Sequence, residues 1–247
     1  LLTVESVEKV YMKGGLFAGE KQYVLKGISL TCRQGECLGI IGESGSGKST
    51  LARLILGIEK PDRGTVRLDG RDVSARSSRT GRISTVFQDY TSSINPFYTV
   101  EQALMEPLRL RRDSKQALHE KMDALLMQVG LDPSYRRQYP HELSGGEAQR
   151  VCIARAVATE PKLIVLDEAI SSLDGSVQLQ VLELLRSLRS RYGMGYIFIT
   201  HDIQAAAYLC DRIAVIRSGR IEVTVKVEEL KDVPCAYARK LLQMVIT

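Results

Sequence analysis

Apolar and polar residues alternate through the first third of the chain, over Leu2 to Tyr11, Val24 to Cys32 and Thr65 to Asp69. That period of two predicts β-strands, with Gly27, Gly35, Gly64 and Gly70 as turn residues at or near their ends. Glu36 to Ile41 is apolar after its first residue and reads as a strand buried on both faces. It runs into a Gly/Ser loop and then a segment in which Leu51, Leu54, Ile55 and Ile58 recur at i, i+3, i+4, i+7, the period of a helix with one buried face. From about residue 99 to 158 helical patterns dominate, broken at Asp132-Pro133 and Tyr139-Pro140. After Pro161 come an apolar strand, Leu163 to Leu166, and a helix carrying Val177, Val181, Leu184, Leu185 and Leu188. Strands at Tyr196 to Ile199 and Ile213 to Ile216 follow, with a short helix at Ala236 to Met244. Apolar strands alternating with amphipathic helices predict an α/β fold with a parallel sheet covered on both faces, and the middle section reads as a helical insertion into it.

Composition narrows the class. With 247 residues, 44% hydrophobic and 26% charged, the chain is long and apolar enough to bury a sizeable core, which excludes a disordered or fibrous protein. Its apolar runs fall far short of the ~20 residues that span a bilayer, and the N-terminus carries no basic-then-apolar signal. A soluble, cytosolic protein is expected. The net charge of +5 is spread along the chain and does not argue for nucleic acid; the basic stretches Arg71 to Arg82 and Arg109 to Arg112 read as solvated faces. The five cysteines are odd in number and scattered, without CxxC, so reduced and mostly buried thiols are expected rather than zinc or disulfides.

Three constellations carry chemistry. Gly42-Glu43-Ser44-Gly45-Ser46-Gly47-Lys48-Ser49-Thr50 matches G-x-x-x-x-G-K-[ST] between a strand and a helix. Its glycines let backbone N–H groups fold around phosphate oxygens, and the helix N-terminus adds positive potential. Lys48 would reach the β- and γ-phosphates, and the Ser49 hydroxyl would ligand Mg²⁺. Asp167-Glu168 closes an apolar strand; beside a phosphate loop, Asp167 would hold Mg²⁺ through water and Glu168 would polarise the attacking water. Leu143-Ser144-Gly145-Gly146-Glu147 opens a helix-patterned stretch running to Ala158, with Ser144 and Glu147 spaced as a capping box. Its glycines leave N–H groups open to a second anion, one held mainly by another subunit.

These motifs, with His201 following an apolar strand, stand in the order and spacing of an ABC-type ATPase, and the chain resembles that family over essentially its whole length. Within the family it is similar to the importer ATPases for oligopeptides, dipeptides and nickel, through Val86-Phe87-Gln88-Asp89, Ser93-Ile94-Asn95-Pro96 and Ala236-Tyr237-Ala238-Arg239-Lys240-Leu241-Leu242. The resemblance implies one ABC ATPase domain over 1–247. Its P-loop NTPase, RecA-like core with an N-terminal antiparallel β subdomain would comprise 1–90 and 159–247, and its α-helical subdomain 91–158. It also implies that Tyr11 stacks on adenine, the other reading being an ordinary strand aromatic. Gln88 would touch Mg²⁺, His201 would bond the γ-phosphate and Glu168, and Asp174 would cross a dimer interface. ATP would lie between the phosphate loop of one subunit and Ser144, Gly145, Gly146 and Glu147 of another.

The implied enzyme hydrolyses ATP with Mg²⁺ at the cytoplasmic face of the cell membrane. It would power uptake of nickel, metal chelates or short peptides through two separate transmembrane permease subunits. A second ATPase subunit, non-identical or a second copy, completes the pair, and an extracytoplasmic solute-binding protein supplies the cargo. Two departures from the family stand out: Glu147 replaces the usual Gln, and Ala169-Ile170 replaces the usual Pro-Thr. The latter, with the lack of a cysteine-rich tail before Thr247, inclines the reading to nickel. The competing readings are an ABC-type ATPase of DNA repair or chromosome maintenance, opposed by the short span between Gln88 and Ser144, and a regulatory ATP-binding subunit without hydrolysis, opposed by Glu168 and His201.

Overall fold

Alternation in the first third is realised as an antiparallel sheet. A computed structural model describes residues 1–13, 20–89, 93–110 and 113–232, in two units: Leu1–Thr80 with Gly195–Thr247, and Gly81–Met194. In the first unit, β1 (Leu2–Lys13) pairs antiparallel with both β2 (Glu20–Cys32) and β4 (Arg63–Leu68), and β5 (Arg71–Asp72) completes the order β2-β1-β4-β5. Along β2 the buried positions are Leu25, Ile28, Leu30 and Cys32. The three-residue step from Leu25 to Ile28 is a β-bulge, where pairing with β1 slips from Lys26↔Glu8 to Ile28↔Val7. Gly27 lies in that bulge at φ 79°. The glycine expected to end a strand thus lets one strand continue. The strand also begins earlier than its alternation indicated, because Glu20 to Tyr23 are all exposed and are held by backbone pairing to β1.

The first unit also holds strands in the order β10-β9-β3-β8. β3 (Cys37–Ile41) runs parallel to β8 (Gly195–Ile199) and β9 (Arg212–Arg217), and β10 (Arg220–Lys226) pairs antiparallel with β9. Every residue of β3 and β8 is buried, which is why both read as continuous apolar runs. Helix α1 (Lys48–Ile55) buries Leu51, Leu54 and Ile55 as expected. Ile58 does not join them and is 61% exposed. The helix stops at the Leu56 cap, and the N–H groups of Ile58 and Glu59 both turn back to the Arg53 carbonyl, at 2.9 and 3.3 Å. Chain reversal therefore precedes the turn that would have brought Ile58 onto the buried face. The single turn α2 (Arg76–Arg79) ends in Arg79, whose guanidinium donates to the carbonyls of Gly57, Val73 and Ser74. That arginine is a structural clamp, not part of a solvated face.

In the second unit, β6 (Ile83–Phe87) and β7 (Leu163–Asp167) are parallel. Helices α3 (Val100–Leu108), α4 (Lys115–Gln128), α5 (Gly145–Val157) and α6 (Gly175–Tyr192) accompany them. The Pro-marked breaks are 3₁₀ turns, Pro133–Arg137 and Pro140–Glu142. α6 buries Val181, Leu185 and Leu188 with Leu182 added, while Val177 and Leu184 are only half-buried. Arg136 joins two helices through Glu101 of α3 and Asp123 of α4, at 2.9 Å each. His119 lies 3.2 Å from Glu101, and the exposed His141 stacks on Tyr139.

Cys32, Cys37, Cys152 and Cys210 are buried, and burial first of all pushes the Cys32 and Cys152 thiols up to about 12. Helix α7 (Ile203–Leu209) follows β8 and its loop. Among the described residues no helix is long and apolar enough to cross a membrane. Cys235 and the segment Ala236 to Met244 lie outside the described residues.

Candidate functional site

The first unit carries the phosphate loop at the C-terminal end of buried β3, the end at which parallel sheets present ligands. Gly47 is the N-cap of α1 at φ 107°, and a Cβ there would stand 2.7 Å from Leu25 Cδ2, so only glycine fits. Lys48 is 7% exposed, and its ammonium spans the loop, donating to the carbonyls of Gly42 at 2.7 Å and Glu43 at 2.9 Å. Ser46 Oγ is buried without a hydrogen-bond partner, a polar atom whose burial a ligand oxygen would offset. Glu43, Ser44, Gly45 and Ser49 are exposed, and Thr50 is buried. A buried cation, an orphaned hydroxyl and an uncapped helix N-terminus converge there, which suits a polyphosphate.

Two further predicted residues lie in this unit. Tyr11, half-buried on β1, donates its hydroxyl to Glu59 Oε2 at 2.6 Å, and Lys9 stands 5.5 Å from the ring centre. Burial, then the bond to Glu59, raises the Tyr11 pKa. The ring is thereby fixed in place by an acid that its sequence spacing did not indicate. His201 is exposed in the loop after β8, between buried Thr200 and Asp202; Thr200 Oγ1 accepts from the Asp202 N–H at 3.0 Å, and Asp202 caps α7.

The second unit carries the acid pair. Pairing of Phe87 with Asp167 makes Gln88 and Glu168 the next residues beyond two adjacent strand ends. Glu168 adopts φ 51°, a left-handed conformation that costs a non-glycine residue about 1–3 kcal/mol and persists only where neighbours hold it. The neighbours are identifiable. Ser171 binds the Glu168 carbonyl through both its N–H and its hydroxyl, Gln178 donates to the Ile170 carbonyl at 3.0 Å, and Gln149 donates to that of Ala169. Gln149 is fully buried, as are Ala169 and Ile170 at 1%. At the Ala169-Ile170 departure, two glutamine side chains supply the rigidity that a proline φ would otherwise give. Gln149→Ala should therefore lower the unfolding free energy by roughly 2–3 kcal/mol, from a lost core side chain and an abandoned carbonyl, as read by urea denaturation.

The third constellation lies in the same unit. Ser144 is the N-cap of α5, and its box with Glu147 is closed in both directions. A Cβ on Gly146 would come within 2.8 Å of Val177 Cγ1, so the missing side chain lets α5 and α6 approach closely. Glu147 Oε2 accepts from the Ser144 N–H at 2.8 Å and from its hydroxyl at 2.7 Å; Oε1 accepts from the Tyr135 hydroxyl at 2.6 Å. Those bonds, Tyr135 first, hold the Glu147 carboxyl below the usual carboxylate range. Ser144, Gly145, Gly146 and Glu147 line a cavity of about 370 Å³ together with Tyr135 and the exposed Asp174, the N-cap of α6. No periodicity marked Tyr135; it reaches the site from a 3₁₀ turn.

Residues 25–171, from within β2 to just past the acid pair, match the family model described as ABC transporter. The chain belongs to the ABC transporter family. Over 244 residues it is 47% identical to the metal-staphylopine import system ATP-binding protein CntF of Staphylococcus aureus, covering 98% of both chains. It is 42% identical to the nickel import ATP-binding protein NikE of Rhodospirillum rubrum, covering 90% of this chain and 82% of that protein. Among solved structures it is similar to the dimeric post-hydrolysis state of the ATP-binding cassette MJ0796 bound to ADP and Pi. There the TM-score is 0.81 at 30% identity, over 92% of this chain and 99% of that one. Fold and family agree with the resemblance drawn from the motifs: the protein is an ABC-type ATPase with an antiparallel β-sheet beside a P-loop α/β core. A DNA-repair or chromosome-maintenance ATPase is not favoured by these relatives.

Proposed function

We propose that this ABC ATPase drives import of a chelated transition metal, working in a nucleotide-sandwich pair at the cytoplasmic face of the membrane. The phosphate loop carries the reading: Lys48 buried across it, Ser46 Oγ without a partner, and glycine obligatory at position 47. The metal cargo is inferred from relatives named for metal-staphylopine and nickel import. Two permease subunits would supply the membrane path and an extracytoplasmic solute-binding protein the cargo. Residues 91–158 would serve as the helical arm facing the permeases, and the rest as the nucleotide-holding core.

In this mechanism Gly42, Glu43, Ser44, Gly45, Ser46, Gly47 and Thr50 wrap ATP phosphates, Lys48 neutralises the β- and γ-oxygens, and Tyr11 faces the base. Ser49, Gln88 and Asp167 offer a hydroxyl, an amide and a carboxylate, a hard oxygen set that fits Mg²⁺. When bound, Mg²⁺ withdraws charge from the phosphate oxygens, as in other P-loop enzymes. Glu168 orients the attacking water and takes its proton, and His201 donates to the γ-phosphate. Ser144, Gly145, Gly146 and Glu147 of one subunit close over the nucleotide of the other, with Asp174 at the joint. Closure needs contacts available only in the closed state, which the second phosphate site provides.

The test is reconstitution of the ATPase with its co-purifying permeases in liposomes. ATP-dependent accumulation of nickel or another chelated metal is expected. Transport of short peptides without metal would replace the cargo assignment, and failure to purify with any permease would remove the transport role.

A further inference from the structure

Glu147 stands where a partner-bound phosphate would approach, and its surroundings show how the chain manages that charge. The hydroxyl of Ser144 has one proton, and it is given to Glu147 Oε2 at 2.7 Å, as is the Ser144 N–H at 2.8 Å. The other carboxylate oxygen is taken by Tyr135 at 2.6 Å. All three donors point at one carboxylate at the tip of a 13-residue helix, whose N-terminal N–H groups favour negative charge. Arg150 borders the same cavity, donating to Gln180 Oε1 at 2.6 Å, and its charge also helps hold the Glu147 carboxyl low, while the other acid lining the cavity, Asp174, adds negative charge.

We propose that Tyr135 is a positioning residue of the trans half-site: by gripping Glu147 it holds that carboxylate over the tip of α5 as a built-in competitor for the phosphate bound by the partner subunit. The inference rests on the sandwich reading above and deepens it. For Ser144 to donate to a phosphate, its hydroxyl must leave Oε2, and the carboxylate must then share the helix tip with a second anion. A short charge-assisted bond from Tyr135 makes Glu147 slower to yield. The low Glu147 pKa, for which the Tyr135 bond is the largest cause, agrees with a carboxylate that stays charged in this position. A glutamine, carrying no charge, would cap the same helix without that competition. Tyr135 and Glu147 together therefore set how much ATP is needed to close the pair.

The test uses the ATPase pair as it purifies with its partner subunits and separates KM from kcat. Tyr135→Phe should lower the KM for ATP roughly threefold without lowering kcat, and Glu147→Gln should lower that KM roughly tenfold, in line with about 1.4 kcal/mol per factor of ten. The double variant should match Glu147→Gln within about twofold, because without the carboxylate the tyrosine has nothing to hold back. A purely structural role would instead lower Tm and raise KM. An unchanged or raised KM in Tyr135→Phe, or effects of the two changes that multiply, would overturn the proposal. A Glu168→Gln pair that fails to close with ATP would overturn the sandwich reading and this inference together. Closure with the wrong KM pattern overturns this inference alone.

Discussion

Lys48→Ala should weaken ATP binding by at least about a hundredfold, because the change removes the buried cation proposed to answer the charge of the β- and γ-phosphates. In the folded chain the Lys48 ammonium is held by the carbonyls of Gly42 and Glu43, so it is already aimed across the loop and loses little freedom when it takes phosphate oxygens. Each charge-assisted bond to an anion contributes on the order of 1.5–3 kcal/mol, and two of them correspond to a hundredfold or more. Titration calorimetry or a fluorescent nucleotide analogue reads this directly. Unchanged affinity, with the fold intact by circular dichroism, would remove the phosphate loop from the mechanism.

Glu168→Gln should leave ATP binding intact and cut turnover by roughly 10²–10⁴-fold, the range spanned by loss of a general base. Glutamine keeps the shape and hydrogen-bonding length of the side chain but cannot take a proton from water. The left-handed turn at this position is held through the backbone by Ser171, and the carbonyls of the next two residues by Gln149 and Gln178, so the substitution leaves the loop's supports in place. ATP that binds without being cleaved should then trap the closed pair, visible as a doubled mass by light scattering when ATP is added. Ordinary turnover would show that another group orients the water.

Much of the site was legible because its chemistry is local. A glycine-rich loop ending in Lys-Ser, a Ser-x-x-Glu capping box and an acid pair closing an apolar strand each need only a few consecutive residues. All three occur on the elements their spacing indicated. What surrounds them was not legible. Glu59 lies 48 residues from the Tyr11 it anchors, and Tyr135, within one 3₁₀ turn, lies 12 residues from Glu147 with a second such turn between them. Gln149 is fully buried on a helix where a polar residue would be expected to face water, and it is there because the Ala169 carbonyl needs a donor. No periodicity announces such partners, since they depend on which loops fold back onto which.

Elements divide in the same way. Continuous apolar stretches specified β3, β7 and β8, because a strand buried on both faces must be apolar at every position. Gly27 and Ile58 went the other way: a bulge carried β2 through the first, and an early helix end left the second in water.

By itself, the order of residues laid out a glycine-rich strand–loop–helix unit suited to a polyphosphate and a second, serine-capped helix tip. Backbone N–H groups, glycine freedom and charge act over neighbouring positions, so that chemistry is written consecutively. Tertiary structure alone decided how tightly each charged group is held: Lys48 across its loop, Glu168 in a strained turn, Glu147 between Ser144 and Tyr135. Hydrogen bonds and burial join residues distant along the chain, and only folding brings those partners within about 3 Å.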